Sequence, residues 1–159
     1  MNLPQLFQMQ KVLDERIVQE HGIEGKVLLL EKVVALRVEL AELANETRCF
    51  KYWSDKPASG REIILEEYVD GLHFILSIGL ELGVDKSLET LDIKPFFCDK
   101  IAEQFNKLFI LEWNFKFDYE FGLDLFIALG EMLGFTWGEI AAAYLEKNKV
   151  NHQRQDDGY

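Results

Sequence analysis

The sequence has few cysteines, fewer cations than anions, and no long apolar run. Its two cysteines, Cys49 and Cys98, belong to no C-x-x-C pair, so we expect buried thiols rather than a disulfide framework. Its 17 Lys and Arg against 28 Asp and Glu give a net charge of −11, which disfavours binding to nucleic-acid polymers and to anionic membranes. No apolar run reaches the roughly 18 residues of a membrane span, and residues 1–10 lack the charged and apolar regions of a signal peptide. These absences predict a cytoplasmic protein.

The residues that are abundant are apolar ones at helical spacing. Hydrophobic residues make up 48% of the 159 residues and aromatic ones 13%, enough to bury one substantial core. Turn residues interrupt the helical pattern most clearly at 54–60. The pattern predicts helices over about 4–21, 25–53, 61–82, 95–113, 118–133 and 137–148, with a short helix or turn at 85–92. We therefore predict an all-α helical bundle that forms a single domain over residues 1–159.

Two acidic motifs lie in predicted helices on either side of the 54–60 loop. Glu39 and Glu42 are three residues apart on the second helix, and Glu67 and Asp70 have the same spacing on the third. Side chains at i and i+3 share a helix face, and the 25 positions from Glu42 to Glu67 fit a turn and an antiparallel return. Four carboxylates brought together repel one another unless a cation lies between them. Hard oxygen ligands in this number suit Mg²⁺, with Mn²⁺ as a substitute, and Mg²⁺ commonly brings phosphate groups with it.

Two other interpretations of these carboxylates are open. Solvated glutamates on a helix surface also occur three residues apart, and a single such pair is weak evidence for a metal. A dinuclear iron centre is the other chemical interpretation, but helical bundles with that centre take histidine ligands from Glu-x-x-His motifs. Here His73 follows Asp70 by three positions, and neither His21 nor His152 extends the pattern. A magnesium site is therefore the preferred prediction.

The two acidic motifs, the segment Gly71-Leu72-His73-Phe74 and the C-terminal segment 147–159 resemble a known family. They are similar to the dimeric, all-α dUTP pyrophosphatases (dUTPases), relatives of the MazG-like nucleotide pyrophosphohydrolases. The similarity covers nearly the whole chain. It implies an intertwined homodimer that hydrolyses dUTP to dUMP and pyrophosphate, and in some members also dUDP to dUMP and phosphate.

The resemblance also implies roles for individual residues. Mg²⁺ ions around the triphosphate would be held by the four acidic residues Glu39, Glu42, Glu67 and Asp70. Either Glu39 or Glu42 would also orient and deprotonate the attacking water. A phosphate-binding tail over 147–159 would close over the substrate through three residues on one helix face, Lys147, Asn151 and Arg154. The alternative for this tail is a solvated chain end.

Five further residues are implied for the nucleoside. Gln10 and Asp14 on the first helix would recognise the uracil edge, where a mismatched base would leave buried polar groups unpaired. Trp53 and Phe74 would stack on the base or the sugar, and His73 would contact the deoxyribose. The alternatives are that the aromatic rings belong to the core, and that Asp14 faces solvent or pairs with an arginine.

The segment 96–135 is unusually aromatic, and one small core can hardly bury all of its rings. Some of them are therefore expected to meet a second subunit, in agreement with the implied homodimer. Two rival functions stay open at this point. One is a pyrophosphohydrolase for dCTP or another, modified nucleotide; the other is a non-catalytic helical dimer that binds nucleotide or protein.

Overall fold

The computed structural model describes residues 1–158, and every regular element in that range is helical, which confirms the predicted all-α fold. The elements are α1 (Leu3–Glu20), α2 (Leu29–Thr47), α3 (Arg61–Glu81), a 3₁₀ helix (Val84–Thr90), α4 (Ile101–Ile110), α5 (Lys116–Met132) and α6 (Trp137–Asp156). Tyr159 lies outside the described residues. Within them no single helix is long and apolar enough to cross a membrane, and α5 and α6 pass that test only as a pair bent by 105°.

Helix α3 lies at the centre of the bundle because it is apolar around most of its circumference. It packs most extensively against α2, and α1, α5 and α6 cover its other sides. Nearly all of residues 68–79 are buried, and the two that stay half-buried are Asp70 and Phe74. Leu36, Leu40 and Leu43 of α2 are fully buried in the same core, and burial of each such side chain stabilises the fold by roughly 1.5–3 kcal/mol.

Two glycines of α5 allow aromatic rings to approach the helix backbone closely. A Cβ at Gly130 would lie 2.6 Å from the Tyr68 hydroxyl, and one at Gly122 would lie closer still to the Trp113 ring. Tyr68 and Trp113 are fully buried, and each donates a hydrogen bond to a backbone carbonyl. These contacts fix α5 against α3 and against the loop that precedes α5.

Helix α2 is shorter than the predicted 25–53. It begins at Leu29 and ends at Thr47, because Arg48 adopts the left-handed conformation with φ of 56°. The Arg48 guanidinium donates hydrogen bonds to the Ser54 hydroxyl at 2.7 Å and to the Lys56 carbonyl at 3.0 Å. The loop therefore starts earlier than its glycine and proline residues indicate.

The predicted helix 95–113 is also too long. Helix α4 covers only Ile101–Ile110, and the chain before it lies extended against α5. There Asp124 accepts the backbone N–H of Lys94 on its carboxylate at 2.8 Å and the backbone N–H of Phe96 on its carbonyl at 3.2 Å. These tertiary hydrogen bonds replace the helical ones that the local sequence favours.

Helix α6, by contrast, continues past its predicted end at 148 to Asp156. Arg16 on α1 donates hydrogen bonds to the His152 carbonyl at 3.0 Å and to the Asp156 carboxylate at 2.5 Å. Most of the predicted phosphate-binding tail is thus an ordered helix that packs on α1.

The prediction of buried thiols was wrong in degree. Cys49 and Cys98 are unpaired and only half-buried, because both follow or precede helices rather than lying within them. Cys49 lines an apolar groove between α2 and α4.

Candidate active site

The α2–α3 hairpin brings together three of the four predicted acidic ligands. Carboxylate oxygens of Glu39, Glu67 and Asp70 all lie within 4.8 Å of one another, and all three residues are half-buried. We call this group the carboxylate cluster. Glu42 is exposed and lies outside the group, although its charge acts on both Glu39 and Glu67. The i, i+3 spacing thus predicts the convergence of the two helices, but the structure leaves Glu42 at the outer edge of the carboxylate cluster.

Burial and mutual repulsion disfavour the ionised form of the residues in the carboxylate cluster. Burial, followed by the charges of Asp70, Glu42 and Glu67, raises the pKa of Glu39 to about 7 from its ordinary 4.5. Burial is also the main reason that the pKa of Glu67 and that of Asp70 are raised. A cation between these groups would relieve both effects.

Lys147 supplies one such cation from α6. Its Nζ donates to the Asp70 carboxylate at 2.7 Å and to the Glu66 carboxylate at 3.0 Å, and its side chain is only 13% exposed. Burial is the largest single influence and lowers the pKa of Lys147, but the hydrogen bonds to Asp70 and Glu66 and the charges of these two carboxylates together make the net shift upward. The lysine predicted to bind phosphate therefore lies on a predicted metal ligand.

A cavity of ≈ 330 Å³, the central cavity, opens beside the carboxylate cluster. Most of the predicted site residues line it, namely Gln10, Asp14, Glu39, Asp70, His73, Phe74, Asn151 and Arg154. Residues of α1, α2, α3 and α6 contribute to its walls. Its volume is at the lower end of the range for small-molecule pockets and suits one nucleoside.

Gln10 is buried at the base of this cavity in a network that joins three helices. Its Nε2 donates to Asp14 at 2.7 Å, while its Oε1 lies 2.8 Å from both the Tyr144 hydroxyl and His73 Nδ1. The His73 and Tyr144 rings stack at 4.2 Å. Asp14 also accepts a hydrogen bond from the Ser77 hydroxyl.

Asp14 pairs with a lysine rather than with an arginine or solvent. Lys32 Nζ lies 3.3 Å from its carboxylate and 2.7 Å from that of Glu81, and the Lys32 side chain is 15% exposed. Asp14 lines the central cavity at the same time, so its predicted place near the nucleoside and its ion pair are compatible.

His73 is neutral at physiological pH because burial, and secondarily the charge of Lys147, lower its pKa to about 3. Since Gln10 Oε1 is an acceptor, His73 Nδ1 carries the proton and donates it. His73 Nε2 is then an acceptor, and it is buried without a partner among residues 1–158. A ligand donor in the central cavity would satisfy it.

The C-terminal part of α6 presents its predicted face to the site. Lys147 reaches the carboxylate cluster, while Asn151 and Arg154 line the central cavity. Arg154 lowers the pKa of Asp70, although burial is the larger influence on that carboxyl. The predicted spacing of four and three residues is therefore matched by three side chains on one side of the helix.

Trp53 does not line the central cavity. It lies in the loop between α2 and α3, is 65% exposed, and packs edge-on against Tyr52 at 5.0 Å and Phe50 at 6.2 Å. Its stacking on the nucleoside stays a prediction.

Three contributors to the site were missed at the sequence level, namely Lys32, Ser77 and Tyr144. Ser77 follows His73 by four residues, so it extends the same face of α3. Tyr144 precedes Lys147 by three residues on α6, and the same helical-face argument points to it. Lys32 gives no such signal, because its two ion pairs join it to α1 and α3.

A half-buried cluster of carboxylates that pairs with a lysine, beside a cavity that an arginine lines, is the arrangement of a metal-dependent hydrolase of a phosphorylated ligand. The family model described as dUTPase matches residues 2–159. The chain therefore belongs to the dUTPase family and is a dUTP diphosphatase of the all-α type. A comparison with curated proteins gives no match.

Proposed function

We propose that this enzyme hydrolyses dUTP to dUMP and pyrophosphate with Mg²⁺ held by Glu39, Glu67 and Asp70, and with Glu42 as a further ligand from the outer side. The observation that carries the proposal is the convergence of three carboxylate oxygens within 4.8 Å. Their upward-shifted pKa values, with burial as the main cause, support the need for a cation there.

The donor set favours Mg²⁺ over the dinuclear iron alternative. The group of potential ligands within residues 1–158 offers carboxylate oxygens alone, and His73 is held away from it by its hydrogen bond to Gln10. Oxygen-only sites suit Mg²⁺, with Mn²⁺ as a substitute, whereas iron in such bundles takes histidine nitrogen as well.

The chain's own side chains supply the remaining chemistry. Bound Mg²⁺ would neutralise charge on the phosphate oxygens as the phosphoryl group transfers. Lys147, Asn151 and Arg154 would donate hydrogen bonds to those oxygens, Lys147 by leaving Asp70. Glu39 or Glu42 would accept the proton of the attacking water, since Glu39 faces the central cavity and Glu42 borders the same cluster from outside.

The central cavity is the proposed nucleoside subsite. Gln10 and Asp14, which line this cavity, would meet the base, and the half-buried Phe74 would offer its ring for stacking. His73 Nε2 would accept the hydroxyl proton of the deoxyribose, because it is otherwise a buried acceptor without a partner among residues 1–158. Trp53 would reach the nucleotide through movement of the loop between α2 and α3, or from a neighbouring subunit.

The reaction is tested with the purified full chain, Mg²⁺ and a panel of dNTPs and NTPs, with pyrophosphate release as the readout. We expect dUTP to be preferred and Glu39→Gln or Asp70→Asn to lower kcat by at least about a hundredfold. Glu62→Gln, on the exposed start of α3, is the matched control and should keep full activity. Near wild-type turnover by both site variants would refute the metal site.

Two comparisons in the same assay refine the proposal. Turnover of dUDP to dUMP and phosphate would extend the substrate range in the way the family resemblance implies. Preference for dCTP would instead favour the cytosine-nucleotide alternative, and absence of any turnover would favour a nucleotide-binding dimer. We propose that the enzyme acts in the cytoplasm. Its substrates are free nucleotides, and the net charge of −11 disfavours binding to nucleic-acid polymers and anionic membranes.

We further propose that the enzyme is a homodimer that pairs through α2. Leu30, Val34 and Val38 recur every four residues on this helix and are 77%, 59% and 48% exposed. A groove of ≈ 350 Å³ between α2 and α4 continues the apolar surface, and Phe50 and Phe105 line it. An apolar stripe of this kind on one helix is typical of a subunit interface.

The aromatic segment 96–135 offers fewer exposed rings to a second subunit than its composition indicates. Five of its rings are buried within one chain: Phe105, Trp113, Tyr119, Phe126 and Phe135. Phe96, Phe97, Phe115 and Phe117 stay exposed. These four rings, together with the apolar stripe of α2, are available to a partner.

The dimer is tested by light scattering after size-exclusion chromatography. Val38→Glu should shift the mass from about two chains toward one, whereas Val12→Glu on α1, also 48% exposed, should not. A monomeric wild type, or equal behaviour of the two variants, would refute pairing through α2.

A further inference from the structure

The orientation of the Gln10 side-chain amide is over-determined by its neighbours. Gln10 is 3% exposed, and its amide group meets Asp14 on α1, His73 on α3 and Tyr144 on α6. A glutamine amide accepts hydrogen bonds on its oxygen and donates them from its NH₂ group. A ligand can use only the lone pairs or N–H groups that are not already bonded to neighbouring side chains.

The acceptor side of Gln10 is fully used within the protein. Its Oε1 accepts one hydrogen bond from the Tyr144 hydroxyl and one from His73 Nδ1, each at 2.8 Å. An amide oxygen has two lone pairs, so no acceptor capacity is left for a ligand. On the donor side, Nε2 gives one proton to Asp14 at 2.7 Å and keeps a second N–H.

The reversed amide is disfavoured on both sides. It would place the Gln10 carbonyl against the Asp14 carboxylate, which accepts hydrogen bonds from the Ser77 hydroxyl and the Lys32 ammonium. It would also set an N–H against the buried Tyr144 hydroxyl, whose proton Gln10 Oε1 accepts in the structure. An unpartnered buried donor and two opposed oxygens both cost free energy.

The one N–H that remains can donate to a ligand but cannot accept from it. Uracil has a carbonyl acceptor at position 4, whereas cytosine has an amino donor there. A site that offers only an N–H at that point satisfies uracil and leaves donor facing donor with cytosine. Loss of such a buried hydrogen bond discriminates between ligands far more strongly than a small change of shape.

We propose that Tyr144 is a positioning residue for base selectivity, because its hydroxyl, with His73 and Asp14, holds the Gln10 amide with its free N–H available to a base carbonyl. Tyr144 acts through Gln10. Stacking of the Tyr144 ring on His73 positions the Tyr144 hydroxyl next to Gln10. The inference rests on the proposed place of the nucleoside in the central cavity.

Tyr144→Phe tests it, because this change removes the hydroxyl and keeps the ring that stacks on His73. The readouts are kcat/KM for dUTP and for dCTP with Mg²⁺, and the Kd of dUMP and of dCMP by calorimetry. We expect the dUTP-to-dCTP ratio of kcat/KM to fall by about tenfold or more, mainly through KM, and the ratio of Kd values to change in parallel. An unchanged ratio in the folded variant would overturn the inference.

Tyr119→Phe is the matched control. Its hydroxyl is equally buried but has no hydrogen-bond partner among residues 1–158, so its removal should leave both ratios unchanged. An equal loss of selectivity in this control would show that any buried hydroxyl matters, and would overturn the specific role of Tyr144.

A second variant keeps the test decisive if Tyr144→Phe does not fold. Asp14→Asn removes the charge that opposes the reversed amide, and the same fall in selectivity is expected; an unchanged ratio would again overturn the inference. Measurements on the wild type distinguish a failure of the proposed function from a failure of the role of Tyr144. A wild type without preference for dUTP refutes the proposed function, whereas a preference that Tyr144→Phe retains refutes only the role of Tyr144.

Discussion

The metal-free enzyme should gain stability when Glu39 loses its charge. Burial and the neighbouring carboxylates raise the pKa of Glu39 to about 7, whereas the ordinary value of 4.5 applies in the unfolded chain. At full weight this difference in pKa corresponds to about 3 kcal/mol. Solvent screening at a half-buried site reduces the effect to roughly 1–2 kcal/mol.

The sign follows from the number of bound protons. Between pH 4.5 and 7 the folded chain keeps a proton on Glu39 that the unfolded chain has released, so the free energy of unfolding falls as the pH rises. Glu39→Gln is neutral throughout and avoids this loss. We expect the variant to be more stable than the wild type by roughly 1–2 kcal/mol at pH 8 and nearly equal to it at pH 5.

Urea unfolding followed by circular dichroism, in EDTA at several pH values from 5 to 8, measures this difference. Added Mg²⁺ should reverse the order, because the wild type then binds a cation that the variant holds poorly. Glu62→Gln serves as the control, since its exposed carboxylate lies outside the carboxylate cluster. A less stable Glu39→Gln variant at pH 8, with the wild-type dependence on pH, would refute the electrostatic reasoning.

Three further measurements probe the same interior. Lys147→Met should strengthen Mn²⁺ binding at pH 8 by roughly tenfold in calorimetry, since it removes a cation from the ligands, whereas Lys149→Met on the exposed face should not; weaker binding would contradict this. In ¹⁵N NMR, His73 should keep the neutral ring with a protonated Nδ1 from pH 8 down to pH 5, because burial lowers its pKa to about 3; titration near pH 6.5 would contradict this. Gly122→Ala should destabilise the fold by roughly 1–3 kcal/mol or more in urea unfolding, because its Cβ would overlap the Trp113 ring, and an unchanged midpoint would refute the close packing.

The helices themselves were predictable because apolar spacing reports which face of a segment is buried. All the predicted main helices exist, and the errors lie at their ends. Helix α2 ends early at Arg48, whose left-handed conformation is stabilised by hydrogen bonds to the following loop. Helix α6 ends late because Arg16 reaches it from the other end of the chain. Both causes are contacts between residues that no local pattern connects.

In the candidate site, too, the patterns within one helix were predictable and the contacts between helices were not. Spacing within a helix predicts that Glu39 shares a face with Glu42, and that Glu67 shares one with Asp70. It does not predict which carboxylate turns inward, and packing leaves Glu42 exposed while Glu39 is half-buried. Spacing also predicts the shared face of Lys147 and its neighbours on α6, but not that Lys147 pairs with Asp70.

The position of Lys147 links the acidity of the chain to its substrate. A protein with a net charge of −11 repels a triphosphate at long range, so binding requires a local reversal of sign. In the structure Lys147 donates a hydrogen bond to Asp70, so its positive charge is neutralised within the carboxylate cluster. Entry of a divalent cation would supply the charge that Asp70 needs and release Lys147 for the phosphates. Metal and nucleotide should therefore bind with positive coupling, and each should raise the affinity of the other by the same factor.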